Sequence, residues 1–461
     1  MLFNSAIFGI FLAVFLVGWA LLPKSARRLW LLGGSWLFYA SWEPVFLLLL
    51  MFSTALDYRI GLWLESETDE RRRKVGLAAS LVGNLGLLLV FKYGDFILGN
   101  LGLSDGALRS QSFHIDGAIP PGISFYTFQT LSYTIDVYRR KTKACRSFID
   151  FSVYVAFFPQ LIAGPIVRAH EFMPQLAALK KPTRRQVIQG AELFALGLFK
   201  KVIIADNIGA LIDPVFEGVG GYTAHTLALA AALFSAQVYC DFSGYSTMAR
   251  GLASMLGFSL PRNFNYPWLA SSPTGYRRGW HMTMSNWFRD YVFRPLGGTR
   301  RGKLRVAGNL MLVWALFGLW HGASWSFVLW GVYNGLVQVI YRTFVVPQKI
   351  PDFPGKALMG WAITMSLLIP SALFFRTGSA SDGLLALRRV TTWSTAGEQF
   401  LEPMWWIPAS LLLAHAAARQ WYDEDLLARL PWTGRVVLLG ALAAVVIVAA
   451  PEQRPFIYFQ F

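Results

Sequence analysis

His321 lies inside the long apolar run 306–341. An ionisable side chain at such depth is expensive and marks a functional site by default. Imidazole suits base chemistry because its unperturbed pKa is about 6.5, and burial favours the neutral ring. Gly318, Gly322, Ala323 and Ser324 surround it with small side chains, leaving room for a substrate or a close helix. Trp320 and Trp325 are placed to wall a pocket. Two readings stand at this point: a catalytic base, or a histidine that hydrogen-bonds two helices.

His281 is the second candidate. Arg277, Arg278 and Arg289 stand near it in sequence, and arginine forks match the oxygens of a phosphate-bearing donor. The same residues also match anionic lipid headgroups. Asp241 and Ser243 belong to the run DFSGYS at 241–246, read as a polar break directly after a span. That break is either a helix cap or a patch lining a cavity. His114 and His225 are expected in outer loops, His170 in a basic inner loop, and His415 in a late span with a structural hydrogen bond. No P-loop, H-E-x-x-H or complete G-x-S-x-G pattern occurs, and Cys145 and Cys240 lack metal-site spacing.

The elements that must position these residues are read from composition. Of 461 residues, 55% are hydrophobic and only 15% charged, against roughly 25% charged in soluble domains. Mean hydropathy is +0.43. One soluble core cannot hide so much apolar surface, so an all-α integral membrane protein is expected. Soluble, disordered, fibrous and disulfide-scaffold classes are excluded. At about 20 residues per span, about 10–13 spanning or re-entrant helices fit. The net charge of +16 is assigned to anionic lipid and cytoplasmic loops rather than nucleic acid.

Residues 1–19 form an uncleaved first span with its N-terminus outside, because Lys24, Arg27 and Arg28 follow it. The run 29–64 is cut at Glu43-Pro44 into two short spans, since proline breaks helices. Spans are expected near 75–93, from Pro120 to Arg139, near 187–205 and near 224–240, the last two joined by an outer loop. The segment 148–167 has basic flanks and breaks at Pro159 and Gly164-Pro165, so it is read as re-entrant. Between Arg262 and Arg305 lie nine Lys/Arg and a single acid, Asp290. Within that stretch, 278–291 reads as one amphipathic interfacial helix. Trp280, Met284, Trp287 and Tyr291 take one face, Arg278, Ser285 and Arg289 the other, and His281 the edge. The run 306–341 divides at Trp320–Ser324, and further spans lie near 357–375, 403–420 and 436–450.

These segments together resemble the membrane-bound O-acyltransferase (MBOAT) family, in its bacterial alginate O-acetyltransferase branch. The matching pieces are PGISFYTFQ at 121–129, SYTIDVYR at 132–139, FPQLIAGPIVR at 158–168 and DFSGYS at 241–246. NFNYP at 263–267, Trp280-His281, WFRDY at 287–291, LGG at 296–298, GLWHGA at 318–323 and FIYFQF at 456–461 follow in order. Departures are small: Met282-Thr283-Met284 stands where relatives often carry Ile-Ser-Leu, and Gly279 replaces a common arginine or tryptophan.

The resemblance implies an MBOAT fold in one membrane domain, 1–461, with N-terminal spans 1–115, a core of about 116–345 and C-terminal spans 346–461. It implies that His321 is the catalytic histidine and that His281 shares the site. Arg277, Arg278, Arg289, Trp320, Asp241 and Ser243 are the candidate donor or substrate contacts, with no metal. The implied reaction takes an acetyl or other acyl group from a cytoplasmic thioester, acetyl-coenzyme A, to a hydroxyl on the periplasmic side. No bound cofactor is expected. The implied partners are a periplasmic SGNH-type acetyltransferase, a polysaccharide such as alginate, and membrane lipid, in a bacterial inner membrane. Direct transfer and a covalent acyl-histidine both remain open. A secondary transporter or a non-catalytic subunit of a polysaccharide export complex is the rival reading.

Overall fold

Apolar runs cut by proline, glycine and short polar joints become helices whose ends fall on those cuts. The computed structural model describes residues 1–103, 119–162, 164–348, 350–421, 430–449, 454, 456 and 457. His114 lies outside them. Among the described residues every regular element is helical, apart from an isolated bridge between Tyr222 and Glu398. They group into two compact units, each made of two stretches of chain.

The first unit holds Met1–Leu198 and Tyr245–Pro261. Helix α1 (Ala6–Leu21) is capped by the Ser5 hydroxyl, which accepts the Phe8 N–H. Helices α2 (Lys24–Ala40) and α3 (Pro44–Ser66) part at Glu43-Pro44, and Pro44 opens α3 because the first helical position needs no N–H donor. Helix α4 (Glu70–Phe91) is capped by Asp69, and α5 (Gly94–Asn100) follows. Helix α6 (Ile123–Tyr138) is buried along nearly its whole length. Helices α7 (Phe148–Ala156) and α8 (Phe158–Leu161) are short and separate, with Pro159 at the start of the second. Helices α9 (Ala169–Ala178) and α10 (Arg184–Phe199) complete this stretch.

A carboxyl sits within α3, a span by length and apolarity. Asp57 is fully buried and accepts hydrogen bonds from Ser80 and Asn84 of α4 and from Thr134 of α6. Polar side chains on two neighbouring helices thus meet its need for partners inside an apolar setting.

The second unit holds Phe199–Gly244 and Arg262–Phe461. A π-helical turn, Lys200–Ala205, leads into α11 (Asp206–Glu217). Helix α12 (Ala224–Met255) then runs 32 residues and passes from this unit into the first. Next come α13 (Pro273–Gly279), α14 (Met282–Phe288), a π-helical turn at Arg289–Phe293, α15 (Lys303–His321) and α16 (Trp325–Ile340). The rest are α17 (Lys356–Leu368), α18 (Ser371–Arg376), α19 (Ala380–Thr391), α20 (Trp406–Trp421) and α21 (Trp432–Ala449). Among the described residues, five helical stretches are long and apolar enough to cross a bilayer: Pro44–Ser66, Glu70–Phe91, Ala224–Met255, Lys303–His321 and Lys356–Arg376.

Three expectations are corrected. The run 241–246 is not a break, because α12 continues through it. Its carboxylate is neutralised by Lys201, so the polar residues can stay helical and buried. The joint between 205 and 224 is mostly helix α11 rather than a loop. Finally, the stretch 278–291 is two short helices and not one. Trp280 is extended and His281 takes the left-handed region at φ +38°. The NFNYP loop imposes that break. Asn265 N–H donates to the Gly279 carbonyl (2.9 Å), and a side chain at Gly279 would strike the Asn265 carbonyl. Asn263 accepts the Met282 N–H (2.8 Å) and the Thr283 hydroxyl (2.6 Å), satisfying the start of α14 as a cap does.

Candidate active site

Helices α15 and α16 form a hairpin that works only because glycines face each other. A Cβ on Gly318 would overlap the Phe327 carbonyl, and one on Gly331 would overlap the Trp314 carbonyl. Close approach delivers the last residue of α15, His321, into the second unit's interior at 2% exposure. Four rings meet the imidazole: Trp320 at 4.8 Å, Phe317 at 4.9 Å, and Trp330 and Phe375 at 5.0 Å between centroids. Phe375 is held there by α18, whose Phe374 carbonyl accepts the Ser326 hydroxyl of α16. Trp325, expected as a pocket wall, points outward at 55% exposure. It opens α16, six residues before Gly331, and Trp330 takes the expected place.

The imidazole lines a partly open cavity of about 70 Å³. Phe317, Trp330 and Phe375 form an apolar end around His321. Arg277, Tyr276, Ser285, Asn334 and Gln338 contribute polar groups. The side chain of Gln338 accepts the Thr274 hydroxyl at 3.2 Å. Burial, followed by the charges of Arg278, Arg289 and Arg342, lowers the Arg277 pKa from its usual value. These four guanidinium groups make this part of the unit strongly positive, which favours an anionic ligand.

His281 is fully buried rather than on an exposed edge. The Phe242 ring meets it edge-on at 4.6 Å and Trp320 lies at 5.9 Å. Trp320 therefore contacts both imidazoles. Burial pushes the His281 pKa down to about 3, so its ring is neutral at physiological pH.

Residues 123–364 match the family described as MBOAT, membrane-bound O-acyltransferase family. The chain is 36% identical to a probable alginate O-acetylase of Pseudomonas aeruginosa over 94% of its own length and 84% of that protein's. It is 34% identical to the counterpart from Pseudomonas putida over the full length of both. A peptidoglycan O-acetyltransferase of Helicobacter pylori is 32% identical, with 84% and 79% covered. The chain belongs to the membrane-bound O-acyltransferase family. It is accordingly a multi-pass membrane O-acyltransferase that uses an acyl donor.

Within this O-acyltransferase the expected residues fall into three groups. His321 and Arg277 line the cavity, and Trp320 joins His321 to His281. Asp241 is buried on α12, where the following residue, Phe242, meets His281; Ser243 is buried on the same helix. Arg278 and Arg289 are exposed and do not line the cavity. Arg289 instead binds Asp290 (2.8 and 3.0 Å), which also pairs with Arg294. His415 is 7% exposed among Tyr239, Tyr266 and Trp268. Asn334 and Gln338 were not among the expected residues, although a polar pair four residues apart in an apolar helix is a signal that would have found them. Lys201, which pairs with Asp241, gave no comparable signal.

The buried neutral state of His281 fixes a pH dependence. Its folded pKa lies below the unfolded value of about 6.5, so below that pH the unfolded chain binds a proton that the folded chain does not. Stability therefore falls as pH drops from 6.5, by about 1.4 kcal/mol per unit from this group. His281→Gln flattens that decline when thermal midpoints are followed from pH 7 to 4.5.

Proposed function

We propose that the acyl transfer takes place in the His321 cavity, with a cytoplasmic acyl thioester, acetyl-coenzyme A, as donor and a hydroxyl of a cell-surface polysaccharide as final acceptor. The neutral His321 ring takes the acceptor hydroxyl's proton as its oxygen attacks the thioester carbonyl. The ester C–O bond forms, the C–S bond breaks, and the thiolate leaves with the proton returned from the imidazolium. Arg277 holds the donor's anionic portion. His281, uncharged, backs the Trp320 ring and keeps the His321 side of the pocket in place. The observation that carries this reading is an imidazole buried in four aromatic rings yet lining a cavity that also contains a guanidinium.

General-base catalysis typically supplies about 10²–10⁴-fold, and placing donor and acceptor together supplies much of the remainder. The acceptor stands on the periplasmic side of a bacterial inner membrane and receives the acetyl group directly or through an SGNH-type partner. The relatives' names favour alginate or peptidoglycan as the polymer.

The test uses the purified full chain in lipid nanodiscs with labelled acetyl-coenzyme A. Coenzyme A release and label transfer to an added polysaccharide are expected. Solute uptake without donor turnover would overturn the assignment. Arg277→Gln raises the donor KM by about 10-fold with kcat little changed, the size of a lost hydrogen bond to a charged group. Arg278→Gln and Arg289→Gln move it less, as a titration of initial rates against donor concentration will show.

A further inference from the structure

We propose that Lys201, acting through Asp241, fastens Phe456 and Ile457 behind the Phe242 ring that meets His281, making Lys201 and Asp241 positioning residues for the site.

The Lys201 ammonium lies 2.7 Å from Asp206 Oδ1 and 2.7 Å from Asp241 Oδ1, with all three side chains 2–4% exposed. Lys201 stands in the π-helical turn, where an extra residue per turn re-aims side chains and often marks a functional position. Two carboxyl groups share one ammonium, and their remaining oxygens call for further donors. One is supplied from far along the chain: Ile457 N–H donates to Asp241 Oδ2 at 2.8 Å. The same segment is anchored by Arg454, whose guanidinium binds Asp213 Oδ2 while Arg376 binds Asp213 Oδ1. Gly209 admits that guanidinium, since a Cβ there would stand 3.1 Å from Arg454 Nη1.

A buried ion cluster alone would be a matter of stability. Its neighbours give it a second consequence. Phe242, the residue after Asp241, has its ring 5.7 Å from Phe456 and 4.6 Å from His281. Phe456 is fully buried. The cluster thus holds the helix turn and the distant segment that together press Phe242 against His281, which in turn contacts Trp320. Loss of the latch lets that wall relax, and small misplacements of reacting groups are costly.

The experiment uses the full chain in nanodiscs and two readouts. The first is hydrogen exchange of the peptide carrying the Ile457 amide; the second is donor turnover, resolved into kcat and KM. Asp241→Leu and Lys201→Met are expected to speed exchange at Ile457 by about 10-fold or more. They are expected to lower kcat by about 10–100-fold with donor KM unchanged. Asp241→Asn, which keeps an oxygen for the Ile457 N–H, retains protection and most of kcat. Phe456→Ala leaves all three charges in place and must lower kcat in the same sense, which separates the latch from general misfolding. Unchanged Ile457 protection in Asp241→Leu, or wild-type kcat in Phe456→Ala, would overturn the proposal. The turnover arm rests on the acyl-transfer reading, whereas the exchange arm does not, so the two can fail separately.

Discussion

His321→Gln lowers acyl turnover by about 10²–10⁴-fold, the range lost with a general base, while leaving the thermal midpoint close to wild type. Glutamine approximates the length and polarity of the imidazole but does not accept a proton near neutral pH. The four rings around His321 contribute most of the local packing and remain in place. Donor KM stays near its wild-type value because Arg277, on another helix, still lines the cavity. Label transfer from acetyl donor to acceptor measures the rate, and a thermal unfolding scan in detergent measures the fold. Turnover equal to wild type in a folded variant would remove His321 from the mechanism.

Gly331→Ala strikes stability and catalysis together. The added methyl meets the Trp314 carbonyl, and backbone cannot move aside as a flexible side chain would. Overpacking of this kind costs about 1–3 kcal/mol. The helices must separate, and His321 at the end of α15 moves with them. A displacement near 1 Å can cost about 10²-fold in rate. Gly318→Ala acts alike, since its methyl meets the Phe327 carbonyl. Gly308→Ala on the same helix is the control. Nothing stands within 4 Å of its would-be Cβ, so it is neutral or stabilising by helix propensity, up to about 1 kcal/mol. Thermal midpoints and initial rates of the three variants give the comparison. A Gly331→Ala protein as stable and active as the control would show that the hairpin's closeness is unnecessary.

Much of this was legible in the residues. The cut at Glu43-Pro44, the interruption after His321 and the separate α7 and α8 follow from proline, glycine and polar residues in apolar runs. His321 stood out because a single imidazole there has no cheap explanation. The stretch 278–291 has the spacing of one helix but folds as two. What breaks it is Asn263 and Asn265 packing onto it from outside, and such contacts leave no periodic trace. The run 241–246 looked like a break for a similar reason: a carboxylate in an apolar helix appears impossible until its lysine is seen.

The sequence by itself determined a polytopic helical membrane protein, its family, and the buried histidine proposed here as its base. Those properties follow from composition, local periodicity and motifs, each contained within a short window. Only the tertiary structure decided that His281 is buried, that Arg277 rather than Arg278 or Arg289 lines the cavity, and that Lys201 joins Asp206 to Asp241. Each of these depends on residues distant in the chain meeting in space, and burial and charge pairing are properties of that meeting.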